Sequence, residues 1–363
     1  MKTKINIFLL LLLFFASCIN PIEFKDGAVE SKLVLHSLLT PDEGVTVLLT
    51  ASRFFLDESY NYRKISNAEV VLFKDSIAID TLQRKAHEGV YYGERNFYVG
   101  DSTGIYYGKY IPQAGDNLTL RASAQGFEPI ESELTIIPPP DFISADTANM
   151  SARAYVRMWY DENDRNKILY DTAIHYFSSF NISLSFNDTP DKNEYYYVVL
   201  YVKTEYEDAS VGKQYRLSYE SNNIVFSSNS VTIGMIGGGE AEKDYSIFTD
   251  EFFAGKNYNI NIYYLDDGDY YGNNYWTPKP FSFVTAQYLV VELHSVSKEY
   301  YLYRKSAMLS DDEMGGRFSE PVQIYSNVKG GIGIAGSYNV SRKMFKLNSV
   351  PIINDGYPSV YYQ

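Results

Sequence analysis

Apolar and polar residues alternate with a period of two along much of the chain after residue 31. The clearest example is Leu33–Leu39, which is followed by a Pro, Asp, Glu and Gly turn. Such alternation places the apolar side chains on one face of a β-strand. Similar runs recur up to Ile137 at intervals of about ten residues, a spacing that is typical of antiparallel sandwiches. We therefore predict a β-sandwich domain over residues 32–137.

The run Pro138-Pro139-Pro140 interrupts this pattern. Proline has no N–H group to donate to a sheet and holds the chain extended, so we predict a linker over 138–140. The second domain, residues 141–363, is again rich in strand-like runs. Tyr195–Val202 is apolar on both faces, which predicts a strand covered on both sides. We also predict short strands over residues 223–226 and 321–325.

One helix is predicted near the C-terminal end. Ser297 is a suitable N-cap and Glu299 lies in the first turn, before Gly315-Gly316 ends the segment. One face would carry Tyr300, Tyr303, Ala307 and Met308.

The predicted fold class is therefore all-β, with a strand-rich second domain that carries this helix. Pieces of the first domain, around residues 67–72 and 89–92, resemble immunoglobulin-like or transthyretin-like modules.

The first eighteen residues have the three parts of a lipoprotein signal. Lys2 and Lys4 precede the apolar run Ile5–Phe15, and two small residues precede Cys18. The run has about eleven residues, whereas a membrane-spanning helix needs roughly twenty. We predict a signal peptide over 1–17, lipidation of Cys18 and a lipidated tether over 18–31.

Composition narrows the possible partners. Removal of the signal peptide takes the formal net charge from −13 to −15, because it removes two lysines. Such an anionic body argues against nucleic acid as a partner and leaves membrane attachment to the lipid. With Cys18 as the only cysteine, no internal disulfide is possible. The 35 tyrosines indicate either strands with wet outer faces or a surface that stacks on sugars or peptides.

Residues 265–276 hold the candidate ligand positions of the second domain. Asp266, Asp267 and Asp269 are candidate calcium ligands, although the Glu that closes a helix-loop-helix calcium site is missing and a solvated turn is the alternative. Calcium in a structural role is the only candidate cofactor. The aromatic residues that follow would contact a small ligand or the rim of a transporter, with burial of the tryptophan as the alternative: Tyr270, Tyr271, Tyr275 and Trp276.

No sequence pattern indicates catalysis. No His-Glu-x-x-His helix occurs in the sequence, and the four histidines are scattered. Residues 100–104 match the Gly-x-Ser-x-Gly spacing, but a strand-like run follows them where a nucleophile elbow requires a helix. The glycine-rich stretch Gly330–Gly336 is not followed by the Lys-Ser/Thr pair of a phosphate loop, so we predict tight backbone packing there or a bulge beside the preceding strand. We predict that the protein is not an enzyme; a hydrolase with dispersed catalytic groups is the alternative.

Asp-Ser/Thr-apolar triplets recur along the chain, beginning at Asp75, Asp80, Asp146 and Asp171. They resemble the O-glycosylation sequon of exported Bacteroidota proteins, although so acidic a chain would contain some by chance. The candidate hydroxyls are Ser76, Thr81, Thr147 and Thr172. Modification would require them to be exposed.

Two passages near the C-terminus carry a family resemblance. Glu299–Tyr303 and Glu320–Ile334 resemble the closing signature of a "domain of unknown function" family of Bacteroidota lipoproteins. The resemblance implies an outer-membrane lipoprotein encoded beside a TonB-dependent transporter. Glu23 and Asp26, soon after Cys18, resemble the acidic export tags of this lineage, so we predict exposure at the cell surface. It implies no catalytic residues. We therefore predict a non-catalytic accessory that captures a ligand for such a transporter, with an adhesive or structural surface protein as the alternative.

Overall fold

The computed structural model describes 15 segments of the chain: 30–53, 63–84, 90–92, 97–99, 104–155, 158–160, 168–170, 174–190, 192–206, 215–217, 219–229, 247–265, 284–310, 323–346 and 352–353. The strands before the prolines are β1 Leu33–Leu39, β2 Thr46–Ala51, β3 Arg63–Lys64, β4 Ala68–Lys74, β5 Ile77–Thr81, β6 Gln83–Arg84, β7 Val90–Tyr92, β8 Phe97–Val99, β9 Ile105–Tyr107, β10 Asn117–Ala124 and β11 Ile130–Thr135.

The strands after the prolines are β12 Asp141–Tyr155, β13 Met158–Tyr160, β14 Ile168–Tyr170, β15 Ile174–Asn187, β16 Tyr195–Tyr206, β17 Tyr215–Arg216, β18 Ile247–Thr249, β19 Asn257–Leu265, β20 Val284–Val296, β21 Ile332–Lys346 and β22 Ile352–Ile353. A 3-10 helix spans Ile224–Asn229 and the one α-helix of the described residues, α1, spans Lys298–Ser310. The predicted all-β class with one helix near the C-terminal end is confirmed.

The first sandwich is formed by the strands before the prolines other than β7 and β8, which form a separate two-stranded sheet. One layer contains β1, β2 and β9, and the other has the order β11-β10-β4-β5. Alternate residues of β1 are buried, including Leu33, Leu35 and Leu39, as the period of two predicts. They pack against Leu72 and Leu120 of the opposite layer in a largely aliphatic core. Burial of this apolar area is the main stabilising contribution to the sandwich.

The second sandwich packs a layer of order β19-β15-β12-β22 against β16 and β20. Its core is rich in aromatic residues, among them Phe180, Phe186 and Tyr196. Strand β16 is buried on both faces, as its sequence predicts: Val198 packs into this core, while Tyr197 packs into a smaller cluster on the other face.

Strand β21 connects the two sandwiches. Its first part pairs in parallel with β1, where His36 lies opposite Ile334, and its second part pairs antiparallel with β20, where Ser295 lies opposite Asn339. One continuous ladder of strands therefore crosses the predicted domain boundary. The boundary itself stays a prediction.

The glycine-rich stretch before and within β21 packs as tightly as predicted. A Cβ atom at Gly331 would lie 2.6 Å from the Leu33 carbonyl oxygen, and one at Gly333 would lie 1.9 Å from the Leu35 carbonyl oxygen. Gly333 also has a φ of 121°, which L side chains rarely adopt. These glycines allow the backbone of β21 to approach β1.

Helix α1 packs against β21 beyond this point. The Oγ of Ser297 accepts the Tyr300 N–H at 3.3 Å, which confirms the predicted cap. A Cβ at Gly336 would lie 3.0 Å from the Tyr300 Cβ, so the helix rests closely on the strand. The predicted helix end at Gly315-Gly316 lies outside the described residues. Among the described residues, no helix has the length and apolar character needed to span a membrane.

Two predicted short strands are wrong. Residues 224–226 belong to the 3-10 helix, and Asn223 uses its side chain to accept the Asn261 N–H and to donate to the Asn259 carbonyl. Asn223 thus substitutes for a partner strand at the edge of β19. The described part of the other run, residues 323–325, is also irregular. The Tyr325 N–H there donates to Ser306 Oγ, so a side chain takes the place of a ladder partner.

The outer face of the β15 and β19 layer is polar. Registered pairs place Asn181 beside Tyr263, Ser183 beside Asn261, Ser185 beside Asn259 and Asn187 beside Asn257. The residues between them, such as Ile182 and Ile260, are buried in the core. We call these eight outward positions the polar face.

Candidate functional site

The proline linker lies on the connecting strand and is held there by side chains. Ser337 and Ser341, at alternate positions of β21, donate to the carbonyls of Thr135 at 2.6 Å and Pro140 at 2.9 Å. Asn339, between them on the same face, donates to the Ile137 carbonyl at 3.1 Å. Because the prolines have no N–H, only their carbonyls can be bound, and hydroxyl and amide donors match that need.

A cleft of about 1270 Å³ opens beside this linker. One wall is the exposed face of β10 and β11, and the floor is the linker with Ser295 and Val296. The other wall consists of Asn187, Thr189, residues 192–196 and the first turn of α1. Both sandwiches therefore contribute to it.

The first wall is charged but internally paired. Arg121 Nε lies 2.5 Å from Glu131 Oε2, and Lys329 Nζ lies 2.9 Å from Glu133 Oε1. The hydrogen bond and charge of Lys329 lower the pKa of the Glu133 carboxyl below its usual value. The paired charges leave this wall with fixed polar groups and no large net field.

The second wall covers a group of carboxyls around Tyr196. The Tyr196 hydroxyl lies 2.7 Å from Asp188 Oδ1 and 2.8 Å from Glu194 Oε2. A hydroxyl has one hydrogen, so it can donate to one carboxylate only, and the second short contact favours retention of a proton by the cluster. Burial, with the charges of Asp250 and Glu194, raises the pKa of Asp188. The cluster therefore retains a proton more readily than an isolated aspartate would.

A second cluster of polar side chains is centred on the buried Glu292 of β20. Glu292 Oε2 lies 2.9 Å from His294 Nε2, and Glu292 Oε1 lies 3.0 Å from the Tyr201 hydroxyl and 3.2 Å from Arg342 Nε. Burial alone would raise the pKa of Glu292, but His294, Tyr201 and Arg342 together hold that pKa below its usual value. Arg342 also reaches Asp42, at the turn after β1, at 3.3 Å. The group connects the two sandwiches through side chains.

His36 of β1 packs under α1. Its Nε2 lies 2.8 Å from the Tyr303 hydroxyl, and burial lowers the pKa of His36 to about 4. It is thus neutral at neutral pH.

Most of the sequence-predicted site residues lie outside the described residues. This applies to the lipidation site, the calcium ligands, the aromatic ligand positions and one hydroxyl: Cys18, Asp266, Asp267, Asp269, Tyr270, Tyr271, Tyr275, Trp276 and Thr172. They stay predictions. Within the described segments, no group of three or more His, Cys, Asp or Glu residues is placed to hold a metal ion.

Three glycosylation candidates are described. Ser76 and Thr81 are exposed at the two ends of β5, and Ser76 lies in a turn with a φ of 68°. Thr147 is half-buried and lies opposite Ile182, so its side chain is on the core side of β12. Modification stays a prediction, with Ser76 and Thr81 better placed for it than Thr147.

Sequence reasoning missed the cleft, because it depends on contacts between residues about 200 positions apart, such as Ser341 with Pro140. One signal was present. Ser337, Asn339 and Ser341 alternate along the sequence, a spacing that places three hydrogen-bonding side chains on one face of a strand, although no strand was predicted there.

Comparison with protein families places nearly the whole chain in one group. Residues 19–344 match a family model described as "Domain of unknown function (DUF4249)". No curated protein matches the chain at a significant level.

Proposed function

The chain belongs to the DUF4249 family, whose description assigns no activity, and we propose that it is a non-catalytic protein that captures a ligand in the cleft beside the linker. The observation that supports this proposal is the cleft itself. It has about 1270 Å³ of space, and its floor is fixed by side-chain hydrogen bonds across the chain. Ligand sites of proteins are most often preformed concavities of this kind, frequently between domains.

We further propose that Cys18 attaches the protein to the outer membrane and that it works there as an accessory to a TonB-dependent transporter. Two proteins confined to the same membrane meet at high effective concentration, so a short tether would suffice for transfer of the ligand. The support for this step is the N-terminal signal pattern and the family resemblance of the closing segment.

Affinity purification from the host outer membrane tests the accessory role. The full chain carries a C-terminal tag, the membrane is dissolved in mild detergent, and partners are identified by mass spectrometry. We expect a transporter in a stoichiometric amount. Recovery of the lipoprotein alone would overturn the accessory role and favour the adhesive or structural alternative.

The same preparation tests the cleft. Protein purified from the host is denatured, and the small molecules that it releases are identified by mass spectrometry. We expect a specific compound from the wild type and much less from Asn193→Trp, because Asn193 lies exposed in the cleft wall. Asn67→Trp, at an exposed bend of the first sandwich, is the matched control. Equal release from all three proteins would contradict capture in the cleft.

A further inference from the structure

The polar face has a composition that folding alone does not explain. Four consecutive rows of β15 and β19 present Asn181, Asn187, Asn257, Asn259 and Asn261 at outward strand positions. Asparagine is one of the residues that strands disfavour, and threonine or valine would stabilise the same positions better. Five asparagines in two adjacent strands therefore lower the stability of the sheet, and this cost requires a reason other than folding.

The polar face is also preorganised. Asn259 Nδ2 lies 2.9 Å from both Ser183 Oγ and Ser185 Oγ, and Asn257 Nδ2 donates to Asn187 Oδ1 at 3.3 Å. These bonds fix the orientation of the amides. Each amide has two donor hydrogens and an acceptor oxygen, so hydrogen-bonding capacity of both kinds remains at the surface.

Its charge and shape restrict the class of ligand. None of the eight positions is charged, and the acidic residues in register with them are Asp141 and Asp146 of β12 and Glu220, which lies opposite Tyr263. Without cations the face does not suit nucleic acid or an acidic polymer, and without a cluster of large apolar anchors it does not suit a protein partner. Tyr263, 41% exposed at the end of the last row, offers a ring on which a ligand can stack.

We propose that the polar face binds a neutral, polyhydroxylated ligand, that is, a glycan chain. Hydroxyl groups both donate and accept, as the fixed amides and serines do. The four rows span six residue steps, or about 20 Å at the rise of a strand, which is long enough for a chain of several sugar rings.

The face continues into the cleft. Asn187, at one end of the polar face, is hydrogen-bonded to Asp141 at 2.8 Å, and both residues also line the cleft. A glycan on the polar face would thus lead into the proposed capture site. This inference rests on the proposed function as far as it names the captured ligand, whereas binding to the face itself can be measured independently.

Affinity electrophoresis of the full chain in native gels tests the proposal. The gels contain dextran, galactomannan or xyloglucan as neutral polymers, and polygalacturonate as an acidic comparison. We expect at least one neutral polymer to retard the protein. Migration unchanged by every neutral polymer would overturn the proposal, as would retardation by polygalacturonate alone.

Threonine variants separate binding from folding. Asn259→Thr and Asn261→Thr remove an amide but supply a better strand former, so we expect an equal or higher melting temperature together with about fivefold to tenfold weaker binding. Tyr263→Ala is expected to weaken binding similarly, while Asn67→Thr in the first sandwich leaves it unchanged. Wild-type binding by both polar-face variants would overturn the site.

Failure of this inference can be told apart from failure of the proposed function. Transporter recovery and ligand release are measured on Asn259→Thr by the host experiments described above. A variant that still recovers the transporter and releases a non-sugar compound would overturn the glycan and leave capture intact. Polysaccharide binding without any transporter would support the polar face and contradict the accessory role.

Discussion

The two sandwiches bury aspartates of similar exposure in opposite surroundings. In the first, Asp116 is 6% exposed, lies 2.6 Å from Lys74 Nζ and accepts the Gln113 N–H at 2.9 Å. In the second, Asp188 is 5% exposed and shares the Tyr196 hydroxyl with Glu194. One aspartate thus has a cation as its neighbour, and the other has further carboxyls.

Burial acts to raise the pKa of both aspartates, and their different neighbours decide whether each pKa falls or rises. Burial acts against the charged form of Asp116, but hydrogen bonds from Lys74, Tyr110 and the Gln113 N–H outweigh it and lower the pKa of Asp116. Burial raises the pKa of Asp188, and the nearby acidic charges add to the effect. The first sandwich therefore uses its buried carboxylate for stability, whereas the second keeps a proton-binding cluster at the wall of the cleft.

The variant with the largest expected effect tests whether the stability of the protein depends on β21, the strand that connects the two sandwiches. In Gly333→Ala the new Cβ would lie 1.9 Å from the Leu35 carbonyl oxygen at a φ of 121°, so β21 must move away from β1. We expect a loss of about 4 kcal/mol or more in the free energy of unfolding, measured by urea denaturation.

Gly115→Ala is the matched control for that variant. Gly115 also has a positive φ, of 92°, but a Cβ there would meet no atom within 4 Å. Its expected cost is about 1 kcal/mol, from backbone strain alone. Equal losses in the two variants would show that the β1 contact adds nothing.

His36 is a third buried titratable group whose pKa can be compared with those of the two aspartates. His36 lies beside the neutral Tyr303 hydroxyl, and burial lowers its pKa to about 4 from about 6.5. The native state then binds fewer protons than the unfolded state between these values, so stability falls as the pH drops from 6.5 towards 4. We expect the loss to reach about 2 kcal/mol and to be absent in His36→Gln. Parallel pH profiles of the two proteins would contradict this account.

Replacement of each aspartate by asparagine tests directly how its charge contributes to stability. Asp116→Asn leaves Lys74 without its anionic partner, and we expect a loss of about 1–3 kcal/mol at pH 7. In Asp188→Asn an amide hydrogen can be donated to the Tyr196 oxygen, which frees the Tyr196 hydrogen for Glu194. We expect this variant to be unchanged or up to about 1 kcal/mol more stable at pH 7.

The pH dependence of the Asp188 variant has a defined sign. A folded-state pKa raised above the unfolded value contributes stability that is present at low pH and is lost as the pH rises through the folded pKa. The advantage of Asp188→Asn over the wild type should therefore grow from pH 4 to pH 7 in thermal unfolding. An advantage that shrinks over this range would contradict the raised pKa.

These residues also show which features the sequence could predict. The alternation in β1, the two apolar faces of β16 and the cap at Ser297 are local patterns, and each predicted its element correctly. The Asp188 cluster depends on the positions of Asp250 and Gly255, which lie more than 60 residues further along the chain, and the cleft depends on distant contacts such as that of Ser341 with Pro140. The residues after 223 were predicted to form a strand because apolar periodicity does not reveal that Asn223 bonds the edge of β19 with its side chain.

The smallest expected effect concerns the exposed side-chain link between the sandwiches. Arg342 bonds both the buried Glu292, at 3.2 Å, and the exposed Asp42, at 3.3 Å, where the side chain of Asp42 is 64% exposed. Solvent screens the Asp42 contact, so Asp42→Asn should cost at most about 0.5 kcal/mol in urea unfolding and less at high salt. Glu292→Gln weakens the buried acceptor of the same arginine and should cost more, about 1–3 kcal/mol. If both changes cost the same, the exposed pair of Arg342 and Asp42 would contribute as much stability as the buried one. Side-chain contacts would then stabilise the connection between the sandwiches together with β21.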